Sequence, residues 1–452
     1  MARNSDELLS YFSENFEKHQ NPKENETYVS DIRIKALSTL LNSGFPTRKH
    51  EEWKYTNISF LFNNDFGLSQ EHTSDGLTKD DIKSFIYEDL IENIIVFVNG
   101  NYSPELSKIV SGEKIIIRNL KEGIMENLEL IEQFIGINTD NANDAFANLN
   151  TAFGTDGAYI VIPDNSDFAE PVHLLFINDS REASYISNPR NLILVGENSK
   201  VRILESAHSI GSKPAFINLV TEIVQKASSE VDYYKIQNHE DNLHYVGTTA
   251  VLQGENSKFD SAAISLKGKF IRNTLHTKLN GKHSESNFNG FYFIDENDFV
   301  DNHTLADHAV PECNSNELYK GILDHTATAV FNGKIIVRPD AQKTNAYQSN
   351  KNILLSNDAT VNTKPQLEIF ADDVKCSHGA TSGYLDKDSL FYLKARGIPE
   401  DKARAMLLNA FASDVISKIN IAELRDSIKL KIADRLNVED IYFCGIMDKL
   451  DK

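Results

Sequence analysis

Cysteine is scarce. The chain has three, Cys313, Cys376 and Cys444, in 452 residues, and they lie far apart. An odd, scattered set argues against a disulfide framework and fits a reducing compartment. No CxxC pair occurs, which argues against a self-contained zinc knuckle or a four-thiolate cluster within one chain. Positive charge is also short. Sixty-six acidic residues face 46 basic ones, for a net charge of −20, a surface that repels nucleic-acid backbones and anionic lipid. No apolar run approaches the ~20 residues needed to span a bilayer. The start, MARNSDELLSYF, lacks the basic-then-apolar layout of a signal peptide. The expectation is a cytoplasmic protein that binds neither nucleic acid nor membrane. Catalytic signatures are missing as well. There is no G-x-x-x-x-G-K-[ST], and GKHS at 281–284 is a near miss without the preceding glycine. A GxGxxG after a strand, HExxH and GxSxG are absent too.

What is present is 40% hydrophobic residues, enough for a sizeable core. The length suits about three domains or one elongated repeat domain. Residues 5–45 read as helical. Leu8, Leu9, Phe12 and Phe16 form one apolar stripe, and Ile34, Leu37, Leu40 and Leu41 a second, at helical spacing. FPTRKHEEWKYTNISFL follows with the only tryptophan, Trp53. Trp53 and Tyr55 are expected to anchor this arm onto the next region. From 60 to 150 the pattern is mixed, with a strand at NIIVFVNG and helix near 120–150.

From about 155 to 375 short apolar or alternating runs succeed one another, AYIVIP, VHLLFI, NLILVG, KVRILES, FINLVTEIV and KIIVRP among them, divided by polar turns. A sandwich, a barrel or a solenoid would all read this way. A repeat points to the solenoid. GENSKV at 196–201 returns as GENSKF at 254–259. Similar joints end at Val231, Val330 and Val361, so the steps Val201–Val231, Val231–Phe259 and Val330–Val361 are 30, 28 and 31 residues by subtraction. One turn signal per such step suits stacked coils of a parallel β-helix. After Gly379 helix resumes. Asp386 or Asp388 can cap SLFYLKAR, closed by Gly397, and Pro399 opens a helix in which Ala403, Met406, Leu407, Ala410 and Phe411 share a face. A last helix carries Leu424, Ile428, Ile432 and Leu436. The chain therefore divides into a helical and mixed region over 1–150, a β core over 151–379 and a helical region over 380–452.

Two groups of residues carry metal or nucleophilic character. DNHTLADHAVPEC gathers Asp301, His303, His308 and Cys313 without a standard zinc spacing, and reads first as a polar loop between coils. Cys376 and His378 stand two apart in strand-like sequence, so both side chains project from one face. A thiolate with an imidazole suits iron–sulfur or zinc ligation. Alternatively, the imidazole activates the thiol as a nucleophile, or the cysteine simply packs as a small hydrophobe beside a structural histidine. A β-helix glycosidase would want paired carboxylates on one face, but Asp372 and Asp373 are adjacent and would point apart. A stand-alone metal-binding protein using Cys313, Cys376 and the histidines stays open.

One resemblance is specific. TKPQLEIFADDVKCSHGATSGYLDKDSLFYLKARGI resembles the signature of the SufB/SufD family of the SUF iron–sulfur cluster assembly machinery. CNSNELYKGILDHTATAVFNGKI, AQKTNAYQSNKNILLS and FPTRKHEEWKYTNI agree with it. The family's SufB branch typically shows Cys-x-His-Glu-Ala where this chain reads Cys376-Ser377-His378-Gly379-Ala380, which favours the SufD side. The resemblance spans about residues 45–420. It implies a right-handed parallel β-helix flanked by helical termini. It implies a non-catalytic scaffold that pairs with SufB; the unpaired strand edges that a β-helix leaves at its ends predict self-pairing into a homodimer when SufB is absent. The C-terminal helices would bind the SufC ATPase. It places His378, with Cys376, at the interface where a transient iron–sulfur cluster forms. No cofactor is expected tightly bound to the isolated chain. The assembled complex is expected to take reduced flavin, at residues this sequence does not reveal.

Overall fold

The computed structural model describes residues 3–19, 28–69, 76–87, 92–110, 112, 115–136, 144–168 and 170–436. Cys444 lies outside them.

The turns set the architecture. Asn198, Ser228, Asn256, His283, Glu312 and Lys343 all have positive φ. Each stands two positions before a strand: Lys200–Gly211, Glu230–Asn238, Lys258–Lys267, Glu285–Ile294, Asn314–Leu323 and Asn345–Leu354. A left-handed residue turns the chain sharply, and these turns stack. Asn198 N–H donates to the Ala227 carbonyl, Ser228 to Glu255 and Asn256 to Lys282. The chain consequently winds into a parallel β-solenoid of about eight turns. Successive coils place strands alternately in two sheets. The register matches the repeat seen in the sequence, since Val231 pairs with Val201 on one side and Phe259 on the other. In the second sheet the match is off by one, with Val361 beside Ala329 rather than Val330.

Between the sheets runs an apolar interior that includes Phe176, Ile203, Tyr233, Phe259, Phe288 and Phe331. The strand Ala215–Gln225 is buried at every position, because helices or other chain cover both faces. On the outer face of its sheet, Phe216, Val246 and Phe270 pack against Leu8, Phe12, Leu40 and Phe146 of the N-terminal region. On the outer face of the other sheet, Tyr234, Ile264, Phe291 and Ile322 pack against Leu408, Ala412, Val415, Ile428 and Ile432.

The flanking helices fall where expected, at Ser5–His19, Tyr28–Ser43, Leu120–Glu132, Ala145–Phe153, Lys387–Ala395, Glu400–Ile416 and Ala422–Arg435. Two apolar stripes are rotated from the expected face. In Tyr28–Ser43 the buried residues include Ala36, Leu37 and Leu40, while Ile34 is half-exposed and Leu41 lies on the rim. In Glu400–Ile416 they are Ala403, Ala405, Leu408, Ala412, Val415 and Ile416, and Met406 faces solvent. Alanines on the buried face let the helix approach the sheet closely, which favours that face over the bulkier one. Trp53 does anchor its arm. It stacks on Phe146 and lies under the Arg272 guanidinium, 3.7 Å from its ring centre. Tyr55 does not, being exposed.

The two ends of the solenoid differ. At the first, Asn93–Val98 turns through Asn99-Gly100, both with positive φ, into Asn101–Tyr102, a hairpin that covers the end of one sheet. Ile116–Asn119 pairs antiparallel with Ala158–Ile162 to end the other. At the far end, Thr360–Ile369 and Lys375–Tyr384 terminate their sheets.

Candidate functional site at the open coil

The last coil consists of Thr360–Ile369, a five-residue connection, and Lys375–Tyr384. Each strand pairs on one side only, with Thr328–Val337 and Asn345–Leu354 respectively. Among the described residues their outer edges carry no strand, and no residue of Thr360–Ile369 or Lys375–Tyr384 is buried. A Cβ built on Gly379 or Gly383 would meet nothing within 4 Å. Ile369, Phe370 and Tyr384 at the strand ends are exposed, as are Phe391 and Tyr392 of the following helix.

Cys376 and His378 lie on this last strand, two apart and on the same face. Cys376 pairs with Ala346 and His378 with Gln348. The cysteine is half-buried and packs against the solenoid interior. Burial pushes its thiol above the ordinary cysteine value, and a backbone hydrogen bond at Ala346 offsets this only in part. A protonated, interior-facing thiol is a poor nucleophile, so the activated-thiol reading loses its basis. His378 is exposed at the open end.

Beneath His378 the interior is polar. Gln348 and Glu317 follow it in register on the two preceding coils. Glu317 is buried, and that burial pushes its carboxyl up to about 7, against hydrogen bonds from Gln348 and Thr304. Asn350 and Asn352 continue the polar row and bond to each other and to Tyr292. These groups were not singled out from the sequence. Their signal was available: YQSNKN places Gln348, Asn350 and Asn352 at alternate positions, hence on one face of a strand.

The second candidate group is dispersed. Asp301 is buried between Arg272, Thr56 and His303. Burial opposes its charge, but Arg272 and His303 outweigh that and hold its carboxyl at about 2. His303 also meets Glu52 at 3.2 Å. This network fixes the Trp53 arm. His308 points inward to the Ser315 hydroxyl at 2.9 Å, and Cys313 takes a hydrogen bond from Ser284. Strand alternation keeps Asp301 and His303 on one face of Phe299–His308 and turns His308 to the other, and Cys313 lies beyond that strand. No group of three or more His, Cys, Asp or Glu side chains poised for a metal occurs among the described residues, so the stand-alone metal-protein reading has no site there. Cys376 and His378 place two soft-to-borderline donor types on one face of the last strand.

The family model for the SUF system FeS cluster assembly SufBD core domain matches residues 176–411, and the SufBD protein N-terminal region matches 3–174. The chain belongs to the SufBD family. An iron–sulfur cluster assembly SufBD family protein of Synechocystis is 33% identical over 419 residues, covering 91% of this chain and 92% of that one. Iron–sulfur cluster assembly protein SufD of Escherichia coli is 30% identical over 410 residues, 88% and 91% of the two chains. SufD of Bacillus subtilis is 24% identical over 435 residues, 93% and 95%. Membership of this SufBD family supports a role in iron–sulfur cluster assembly. No helix among the described residues is long and apolar enough to cross a membrane.

Proposed function

We propose that this chain is a scaffold subunit of the SUF machinery, without catalytic chemistry of its own. It pairs with SufB through its final coil, docks the SufC ATPase with its C-terminal helices, and presents Cys376 and His378 to a cluster built between chains. The observation that carries the reading is the open coil. A bare strand edge invites another chain to pair with it, and this edge bears the two donors side by side. The cluster is cargo, assembled and passed on, so a partial ligand set suits it better than a closed one. His378 serves as ligand through a ring nitrogen. Cys376, held protonated by burial, becomes a ligand only by losing its proton to the metal. The absence of a P-loop motif in the sequence fits a division of labour in which SufC hydrolyses ATP.

The test is the cluster content of the purified three-protein complex, read by visible absorbance. His378→Ala is expected to lower it several-fold while SufB and SufC remain bound. Cys376→Ala is expected to lower it less. Wild-type cluster content in His378→Ala, with the complex intact, would overturn the assignment.

A further inference from the structure

The polar column under His378 holds an acceptor with nothing to accept. Glu317 Oε2 takes hydrogen bonds from Thr304 Oγ1 at 2.7 Å and Gln348 Nε2 at 2.9 Å. Gln348 Nε2 is the donor in that contact, so the amide turns its nitrogen toward Glu317. The two polar atoms of an amide diverge from their carbon. With Nε2 turned back along the solenoid axis, Oε1 faces the coil ahead, where His378 is the register partner. That Oε1 is buried and has no partner. The side chain cannot swing away easily. Across the interior stands Gly333, and a Cβ there would lie 2.0 Å from Gln348 Nε2. The glycine makes the room that the amide fills.

A histidine that gives one ring nitrogen to a metal almost always donates its other ring N–H to a fixed acceptor, which sets tautomer and orientation. We propose that Gln348 is the positioning residue of His378: its Oε1 accepts the ring N–H, and the other ring nitrogen is left facing out of the open coil. Glu317 and Thr304 hold the amide in place from behind. Among the described residues no hydrogen bond to the His378 ring is formed, and the contact requires only rotation of that exposed side chain. That rotation is open to the free chain, and cover by a partner chain favours it further, because a buried ring N–H without an acceptor is costly. One rival shares the coil. Thr363 Oγ1, on the facing strand, is also buried without a partner. The inference rests on the reading of His378 as a ligand, and it is tested with a readout independent of cluster formation.

The full-length chain, labelled with 15N-histidine, is examined by two-bond 15N–1H correlation, which reports the tautomer of each imidazole; His378→Ala assigns the resonance. In the wild type, His378 is expected to favour one tautomer over the mixture of free histidine. Gln348→Met removes the acceptor at similar volume and is expected to return His378 to that mixture. In the assembled complex it should lower cluster content, by no more than His378→Ala does. Gly333→Ala, which pushes the amide aside without deleting it, is expected to do the same and stands in if Gln348→Met folds poorly. Thr363→Val is expected to change neither reading. An unchanged His378 tautomer in both Gln348→Met and Gly333→Ala overturns the proposal, and loss of the bias in Thr363→Val alone transfers the role to Thr363. If His378→Ala keeps its cluster while Gln348→Met still shifts the tautomer, the contact stands and the functional reading falls.

Discussion

Single residues in a solenoid interior are constrained from four sides, above and below as well as across. Glu317 shows the consequence. Its carboxyl sits among Gln348, Thr304 and the ring of Tyr319, with burial raising it to about 7 from the usual carboxylate range. The folded chain therefore keeps a proton that the unfolded chain gives up between about pH 4.5 and 7. Stability from this group is whole at the acid end of that interval and falls as pH rises through it. Glu317→Gln keeps the shape and an acceptor oxygen but cannot ionise. Urea unfolding of the two proteins should show little difference near pH 4.5 and a gain for the variant above pH 7, on the order of 3 kcal/mol at most. His173 and His239, both buried and both lowered to about 3 by burial, make the whole fold acid-sensitive, but they are present in both proteins and cancel in the comparison. An equal difference at both ends of the range would show that Glu317 is ionised throughout. At this scale the sequence spoke unevenly. Cys376 and His378 could be placed on one face because spacing of two suffices for that. Glu317 could not be assigned inward or outward until its coil was in register, since its neighbours Asn316 and Leu318 are one polar and one apolar.

Elements were more legible than residues, and the reason is the backbone. Turns with a left-handed residue recur because stacked coils need the same bend at the same place, so GENSK appears twice and the step between repeats gives the coil length. Helix faces were less legible. The stripe Ala403, Met406, Leu407, Ala410 and Phe411 puts Met406 and Ala410 inward, whereas the sheet takes Ala403, Ala405, Leu408 and Ala412, and both Met406 and Ala410 are exposed. Phe411 still lies against the sheet, under the buried Lys320 ammonium, which reaches Asp414 and the Phe411 carbonyl. The helix Lys387–Ala395 is different in kind. Asp386 caps it by accepting from Asp388 and Ser389, yet it buries no residue, and Phe391 and Tyr392 are 73% and 56% exposed. A capped helix with two bare aromatics is expected to be docking surface rather than core. Phe391→Ser with Tyr392→Ser should leave the far-ultraviolet circular dichroism and melting temperature unchanged and weaken SufC binding at least tenfold by calorimetry. Undiminished binding would move the SufC contact elsewhere on the C-terminal helices.

The whole molecule is polar in the sense that a rod with unlike ends is polar. Winding is self-propagating, because every coil offers the next a full set of unpaired amides and carbonyls, and something must stop it. At the first end the chain stops itself with a hairpin and an antiparallel strand. At the far end, among the described residues, two ten-residue strands have bare edges, with Ile369, Phe370 and Tyr384 in solvent. Such an edge is a hazard unless covered, and a coil of the same geometry from a related chain is the cover that fits it best. In the absence of SufB a second copy of this chain is the expected substitute, joined about a two-fold axis. The net charge of −20 opposes that self-pairing and leaves a less acidic partner favoured. Self-association should therefore tighten as salt screens the repulsion. Light scattering at micromolar concentration is expected to show a dimer whose dissociation constant falls from low to moderate salt. Ile369→Lys with Phe370→Lys places charge on the bare edge and should return the chain to a monomer of 50.8 kDa without loss of β structure. A wild-type chain that stays monomeric at every salt concentration would mean that the edge is protected in some other way, and that pairing with SufB requires more than an open coil.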